Sequence, residues 1–317
     1  MMEQYLQSRS LTIEVTNACP CHCVICPRDK RTKPIKTMDF DFFRRIVDQG
    51  VEGGMDILTL CGFGEAFMDK GLLQKIEYVK QQYPFVSIYL STTGFLLNDF
   101  NIGEIVPLLD TLKISHFSDD EETFRKMHGK ATDYRTTEIA LEKVCALPQN
   151  IRPYLIFLFV QTKINEGETT EWIQRWEPKV DEVMVWKTHN WAGQWPSEFT
   201  YSEQEPVTSC GRPFHGDLNI HSDGTVSPCC FDFDGKMIIG DLTQQTLKEI
   251  YFGDALKRIQ EVHQKKTFCD SGLLCAKCDQ IRSREGSLVY ATNKDRKVGV
   301  ITSSRLDRMN NVLDGGL

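Results

Sequence analysis

Six short apolar, β-patterned runs, spaced along the first 190 residues, constrain this chain more than any other feature. They lie at Leu11 to Val15, Ile57 to Cys61, Val86 to Ser91, Thr111 to Ser115, Tyr154 to Gln161 and Glu182 to Trp186. Between them, helix-period patterns fall near residues 38–52, 69–82, 120–128, 134–147 and 168–177, and Leu72, Leu73, Ile76 and Val79 share one apolar face. Alternation on this scale predicts parallel strands joined by helical crossovers. The run Tyr154-Leu-Ile-Phe-Leu-Phe-Val is continuously apolar, as a strand covered on both faces should be. Six units are too few to close an eight-stranded barrel.

A chain of 317 residues with 41% hydrophobic and 26% charged residues is an ordinary globular protein with one large core, or a large and a small one. Its formal net charge of -7 gives no basic footprint for nucleic acid, and no apolar run reaches the length of a membrane span. The opening residues lack the apolar core of an export signal, so a cytoplasmic location is expected. There the 12 cysteines stay reduced and are available to metal.

The first run empties into Asn17-Ala-Cys-Pro-Cys-His-Cys-Val-Ile-Cys-Pro-Arg, where Cys19, Cys23 and Cys26 stand at x-x-x, x-x spacing and Cys21 lies between them. Thiolates crowded on one loop usually share a metal, because soft sulfur ligands then offset their mutual repulsion. A structural zinc site prefers two cysteine pairs, which this spacing fits poorly. The loop resembles the cluster loop of the radical S-adenosylmethionine (SAM) superfamily, with Ile25 where an aromatic is frequent. That resemblance implies a 4Fe-4S cluster held by Cys19, Cys23 and Cys26, whose remaining iron binds SAM. It also implies an open, partial (β/α)6 TIM-like barrel with its active site at the carboxyl ends of the strands.

Further strand ends match the same family. Gly62-Phe-Gly-Glu65 resembles its glycine-glutamate motif, in which Gly62 and Gly64 let backbone approach SAM and Glu65 accepts from the SAM amino group. Ala66 stands where the family has proline, which predicts a looser turn. Thr92 and Thr93 resemble its hydroxyl-bearing turn, and Ser115 matches the serine after the fourth strand. Read alone, each is also an ordinary turn or strand-end residue. After the sixth run, His189, Asn190 and Trp191 put an imidazole, an amide and an indole at the expected mouth. They suit a polar ring-shaped substrate; the alternative, above all for the tryptophan, is an aromatic plug against the next domain.

Past residue 200 the alternation stops and cysteines concentrate again. Cys210, Gly224 and Cys229 resemble the opening of the SPASM motif, and Asp223-Gly224 between alternating flanks is a hairpin signal. Cys275-x-x-Cys278 follows, but position 284 is Arg and no cysteine comes after Cys278. This shortened set resembles the Twitch variant, with one auxiliary 4Fe-4S cluster on Cys210, Cys229, Cys275 and Cys278. By itself, Cys275-x-x-Cys278 would serve a zinc ribbon as well. Cys230 and Cys269 are spare thiols and candidate hydrogen donors to a substrate radical, though buried free cysteine is usually inert. The expected division is a radical SAM partial barrel over 1–199, a SPASM/Twitch domain over 200–290 and a tail over 291–317.

The resemblance implies reductive cleavage of SAM and abstraction of a substrate C–H hydrogen. The expected substrate is a small hydroxylated metabolite, such as a sugar, aminocyclitol or nucleoside-like compound, oxidised or epimerised at a carbinol carbon. The cluster loop lies close to the start of the chain, which predicts that no leader-peptide domain precedes it; peptide modification is the second expectation. An iron-sulfur electron carrier or assembly factor is a third, disfavoured by the glycine-glutamate motif. A flavodoxin or ferredoxin is the expected electron donor, with no nucleic-acid or membrane partner.

Overall fold

The computed structural model describes residues 4–129, 132–198, 207–282 and 287–292. Six strands, β1 (Ser10–Ile13), β2 (Ile57–Leu60), β3 (Ser87–Thr92), β4 (Thr111–Ser115), β5 (Tyr154–Gln161) and β6 (Glu182–Lys187), pair in parallel in chain order. The helices α1 (Phe40–Glu52), α2 (Leu72–Gln82), α3 (Glu121–His128), α4 (Tyr134–Cys145) and α5 (Thr169–Trp176) fill the crossovers. Between β3 and β4 the chain forms a π-helical turn at Asn101–Ile105 and a 3-10 turn at Val106–Leu108, where Pro107 denies a hydrogen bond to a longer helix. Three of the helices begin at aspartates whose side chains accept from a first-turn amide: Asp39 from Phe42, Asp120 from Thr123 and Asp133 from Thr136.

Alternation along each strand separates the two faces. On the helix-facing side Leu11, Ile13, Leu58, Leu60, Ile88, Leu90, Leu112 and Ile114 are buried, joined by Phe157, Phe159, Val183 and Val185. Full burial of such a side chain stabilises by about 1.5–3 kcal/mol. The inward face is mixed: Tyr89, Ser91, Lys113 and Ser115 are half-buried, and Lys113 Nζ sits 5.6 Å from the Tyr89 ring centre.

The sheet does not stop at β1 or at β6. Beyond residue 206 come α6 (Arg212–His215), β7 (Leu218–Ile220), β8 (Thr225–Ser227), β9 (Gly240–Asp241), α7 (Leu247–Tyr251), α8 (Asp254–Lys265) and β10 (Leu288–Ala291). Strand β7 adds to the free edge of β1 in parallel, and β8 and β9 follow antiparallel. Strand β10 covers β6 from the other side, antiparallel. The result is one open ten-stranded sheet in the order β10-β6-β5-β4-β3-β2-β1-β7-β8-β9. The Asp223-Gly224 turn forms as the sequence predicts, with Gly224 at φ +95°. The expected boundary at 199/200, Arg284 and nearly all of the 291–317 tail fall outside the described residues. Among those described, no helix is long and apolar enough to cross a membrane.

Candidate functional site: two cysteine sets at the strand ends

The loop between β1 and α1 is folded around Arg28, whose Nη1 donates to the carbonyls of Cys19 and Cys21. The Cys26 amide donates to the Cys23 carbonyl at 3.0 Å, and the Trp191 indole donates to the Ile25 carbonyl at 2.9 Å. The Cys19 thiol is pushed well up by its hydrogen bond with Cys21 and by burial. Burial pushes Cys26 up to about 11. These thiols hold their protons until a metal displaces them. Cys21 is buried, its Sγ 3.8 Å from Thr93 Oγ1. Among the described residues, Cys21, Cys23 and His128 bring their ligand atoms within 4.8 Å of one another.

The glycine-glutamate segment lies against this loop. A Cβ on Gly64 would stand 2.0 Å from the Thr16 carbonyl oxygen, and one on Gly62 would stand 2.5 Å from the Glu14 side chain. Only glycine fits so close an approach. Glu65 is buried; its Oε1 accepts from Thr92 Oγ1 at 2.7 Å, and its Oε2 accepts from the Thr93 amide and hydroxyl, both at 2.9 Å. Burial raises the Glu65 pKa against the pull of those donors. The motifs read separately in the sequence thus form one network. In place of a loose turn after Glu65, Ala66–Met68 makes a 3-10 turn that the Glu65 side chain caps. Ser115 ends β4 on the inward face, opposite Leu158 of β5.

Sequence reasoning overlooked Glu14, which joins the whole. Its Oε2 accepts from the Phe63 amide at 2.7 Å and from Arg31 at 3.3 Å, while Oε1 accepts from the Ser222 hydroxyl at 3.1 Å. Arg31 lies over the Phe63 ring at 4.8 Å, and its Nε and Nη2 are buried without partners. A carboxylate inside an otherwise uncharged β-patterned run was the available signal.

At the mouth, His189 stacks on Phe231 with ring centres 3.9 Å apart and accepts at Nδ1 from the Trp191 amide. Burial drops its pKa to about 3. The Asn190 side chain is occupied: Nδ2 donates to the Lys277 carbonyl at 2.8 Å, and Oδ1 accepts from the amides of Gly193 and Asp279. It ties the loop after β6 to the Cys275–Asp279 segment. Trp191 and Ala192 adopt φ of 48° and 55°, a left-handed pair held by these bonds.

The second cysteine set converges on Arg212, which opens α6 directly after Gly211 and lies over the Phe231 ring at 4.5 Å. Burial opposes the Arg212 charge, but Cys230, Cys210, Cys229 and Cys278 around it raise its pKa. Burial, with the nearby Cys210, pushes Cys275 and Cys278 up to about 12. His263 Nε2 stands 3.4 Å from Cys275 Sγ, and its Nδ1 meets Ser209 Oγ at 3.0 Å. Four converging thiols beside a buried cation suit an anionic thiolate-ligated cluster. Cys230 and Cys269 are both exposed, Cys230 next to Cys229 and Arg212.

Comparison with known proteins agrees with this geometry. The radical SAM superfamily matches residues 13–174, and the SPASM iron-sulfur cluster-binding domain matches residues 210–279. No curated protein sequence matches. Among solved structures, BtrN in complex with AdoMet and 2-DOIA is 16% identical, with a TM-score of 0.62 over 88% of this chain and 94% of that one. Native anSMEcpe with bound AdoMet is 12% identical, with a TM-score of 0.61 over 96% and 99%. SuiB of Streptococcus suis, bound to precursor peptide SuiA, is 12% identical, with a TM-score of 0.60 over 80% and 66%. At such identities these likenesses are of fold. The chain belongs to the radical SAM superfamily and carries a C-terminal SPASM domain, so its cofactors are S-adenosylmethionine and two 4Fe-4S clusters, one SAM-binding and one auxiliary.

Proposed function

We propose that this enzyme oxidises or epimerises a carbinol carbon of a small hydroxylated metabolite, such as a sugar, aminocyclitol or nucleoside-like compound. The polar inward face carries the reading: its half-buried Tyr89, Ser91 and Lys113 offer a floor with a phenol, a hydroxyl and an ammonium. Such a floor suits a ligand bearing several hydroxyl or amino groups. Similarity to BtrN, crystallised with 2-DOIA, supports it.

In this proposal Cys19, Cys23 and Cys26 hold the SAM-binding cluster, and Cys210, Cys229, Cys275 and Cys278 hold the auxiliary one. Gly62, Gly64, Glu65, Thr92, Thr93 and Ser115 line the SAM site. When bound, SAM and its cluster supply the hydrogen-abstracting 5′-deoxyadenosyl radical, with a flavodoxin or ferredoxin as electron donor. The chain's task is to seat the target carbon and exclude water. Oxidation removes one electron and one proton from the substrate radical, and in this reading the auxiliary cluster takes the electron. Epimerisation instead needs a hydrogen atom delivered to the opposite face, for which Cys230 and Cys269 are the candidate donors. His189 and Trp191 are candidate substrate contacts; Asn190 serves chiefly to anchor the loop that carries them.

The second reading, peptide modification, rests on SuiB with its bound precursor peptide. Reconstituted enzyme is to be assayed with deuterated aminocyclitols, sugars and peptides, reading deuterium in 5′-deoxyadenosine. Transfer from a carbinol position supports the proposal, and transfer only from peptides overturns it. Solvent deuterium in the product marks epimerisation, and full epimer from both Cys230→Ala and Cys269→Ala removes them as donors. A loaded protein that never cleaves SAM would favour the third reading, a non-enzymatic iron-sulfur electron carrier or assembly factor.

A further inference from the structure

His128 is the last residue of α3, buried, with its ring stacked on Phe117 at 4.5 Å and 5° and packed on Phe124 at 4.5 Å. The Phe117 backbone amide donates to its Nε2 at 3.3 Å. A nitrogen that accepts has its lone pair free, so the ring proton sits on the other nitrogen. That nitrogen, Nδ1, stands 3.6 Å from Cys23 Sγ. Backbone contacts fix the placement: the His22 and Val24 amides donate to the carbonyls of His128 and Met127, both at 3.0 Å. These carbonyls are among those a helix end leaves unpaired. Gly129, at φ +96°, turns the chain away beside His22, where a Cβ would meet His22 Cβ at 3.0 Å.

We infer that His128 is a positioning residue for the SAM-binding cluster, donating its Nδ1–H to the Cys23 sulfur and thereby raising the cluster's reduction potential. A hydrogen bond to a ligand sulfur favours the more negative, reduced state, because charge on that sulfur increases on reduction. The effect lies in electron acceptance by the cluster, and His128 need not touch substrate or SAM. This inference rests on Cys23 being a cluster ligand, as proposed above.

The test uses anaerobic holoenzyme. In His128→Phe, which keeps an aromatic ring between Phe117 and Phe124, the reduction equilibrium of the SAM-binding cluster should fall about tenfold, about 59 mV for one electron. The auxiliary cluster should titrate as in wild type. An unchanged potential in a fully loaded variant overturns the inference. Should that variant fail to load, wild-type enzyme labelled with 15N at histidine Nδ1 decides. The reduced cluster should show a weak through-hydrogen-bond 15N coupling that persists in His22→Gln. No coupling overturns the inference, as does a coupling of the size of a directly iron-bound imidazole. Cys23→Ala separates the two layers: if it retains the SAM-binding cluster, the ligand assignment itself fails.

Discussion

Ser222 Oγ donates to Glu14 Oε1 at 3.1 Å across 208 positions of sequence. The same carboxylate also holds Arg31 and the Phe63 amide, so one buried side chain fastens the end of the first strand, the loop between β1 and α1, the glycine-glutamate segment and the C-terminal hairpin. Glu14 and Arg31 have side-chain exposures of 3% and 5%. Removing one partner of such a pair leaves the other charge buried, at a cost of about 3–5 kcal/mol. Glu14→Ala should therefore melt far below wild type in an anaerobic thermal scan. Ser222→Ala should lose about 1 kcal/mol, one hydrogen bond's worth. Equal loss from both would show that the carboxylate is not the shared fastening.

Gly64→Ala must displace backbone, since its Cβ would lie 2.0 Å from Thr16 O, whereas Gly103 has open space around it. The first substitution should cost roughly 1–3 kcal/mol or more and weaken SAM binding. The second should stay within about 0.5 kcal/mol. Calorimetric SAM titration alongside melting of both variants checks this, and normal SAM affinity in Gly64→Ala would contradict it.

The two cysteine sets should load independently. A Cys19→Ala, Cys23→Ala, Cys26→Ala triple variant should keep about half the iron, as one of two four-iron clusters, and lose SAM cleavage. Cys275→Ala with Cys278→Ala should lose the other half and retain uncoupled SAM cleavage. Iron and sulfide analysis with EPR of each variant would expose any ligand assigned to the wrong set.

Low pH should loosen the protein through its buried imidazoles. The His189 pKa is depressed to about 3, and burial also depresses that of His221. An unfolded histidine titrates near 6.5, so between about 3 and 6.5 the unfolded chain binds more protons. Stability should thus be complete above about 6.5 and fall as pH drops through that window. Each such histidine contributes at most about 1.4 kcal/mol per pH unit. His189→Gln should flatten the pH dependence of the anaerobic unfolding midpoint, and an unaltered slope would refute the assignment.

The partial barrel was legible because its strands are β-patterned runs that alternate with helix-period runs: β4 and β5 fall at Thr111–Ser115 and Tyr154–Gln161, where the alternation predicts them. Helices after residue 240 were missed, although Thr246 and Glu249 form a capping box at the start of α7. So was β10, a four-residue edge strand whose partner lies about 100 residues upstream. Such pairings depend on an edge waiting in the folded sheet and leave little local trace. The cysteine spacing pointed to both clusters, yet neither Arg212 nor His128 stood out. One is a surface-type residue enclosed by thiols, and the other ends an ordinary helix. Their roles follow from what tertiary packing brings to them.

The pairing of β7 with β1 bears on how the chain is made. Until residues 218–220 leave the ribosome, the first strand offers a bare rim of amides and carbonyls, a ready template for a stray strand from another molecule. The C-terminal domain is thus also the barrel's edge guard. Truncation near residue 200 should therefore yield aggregates, even though all six parallel strands would be present.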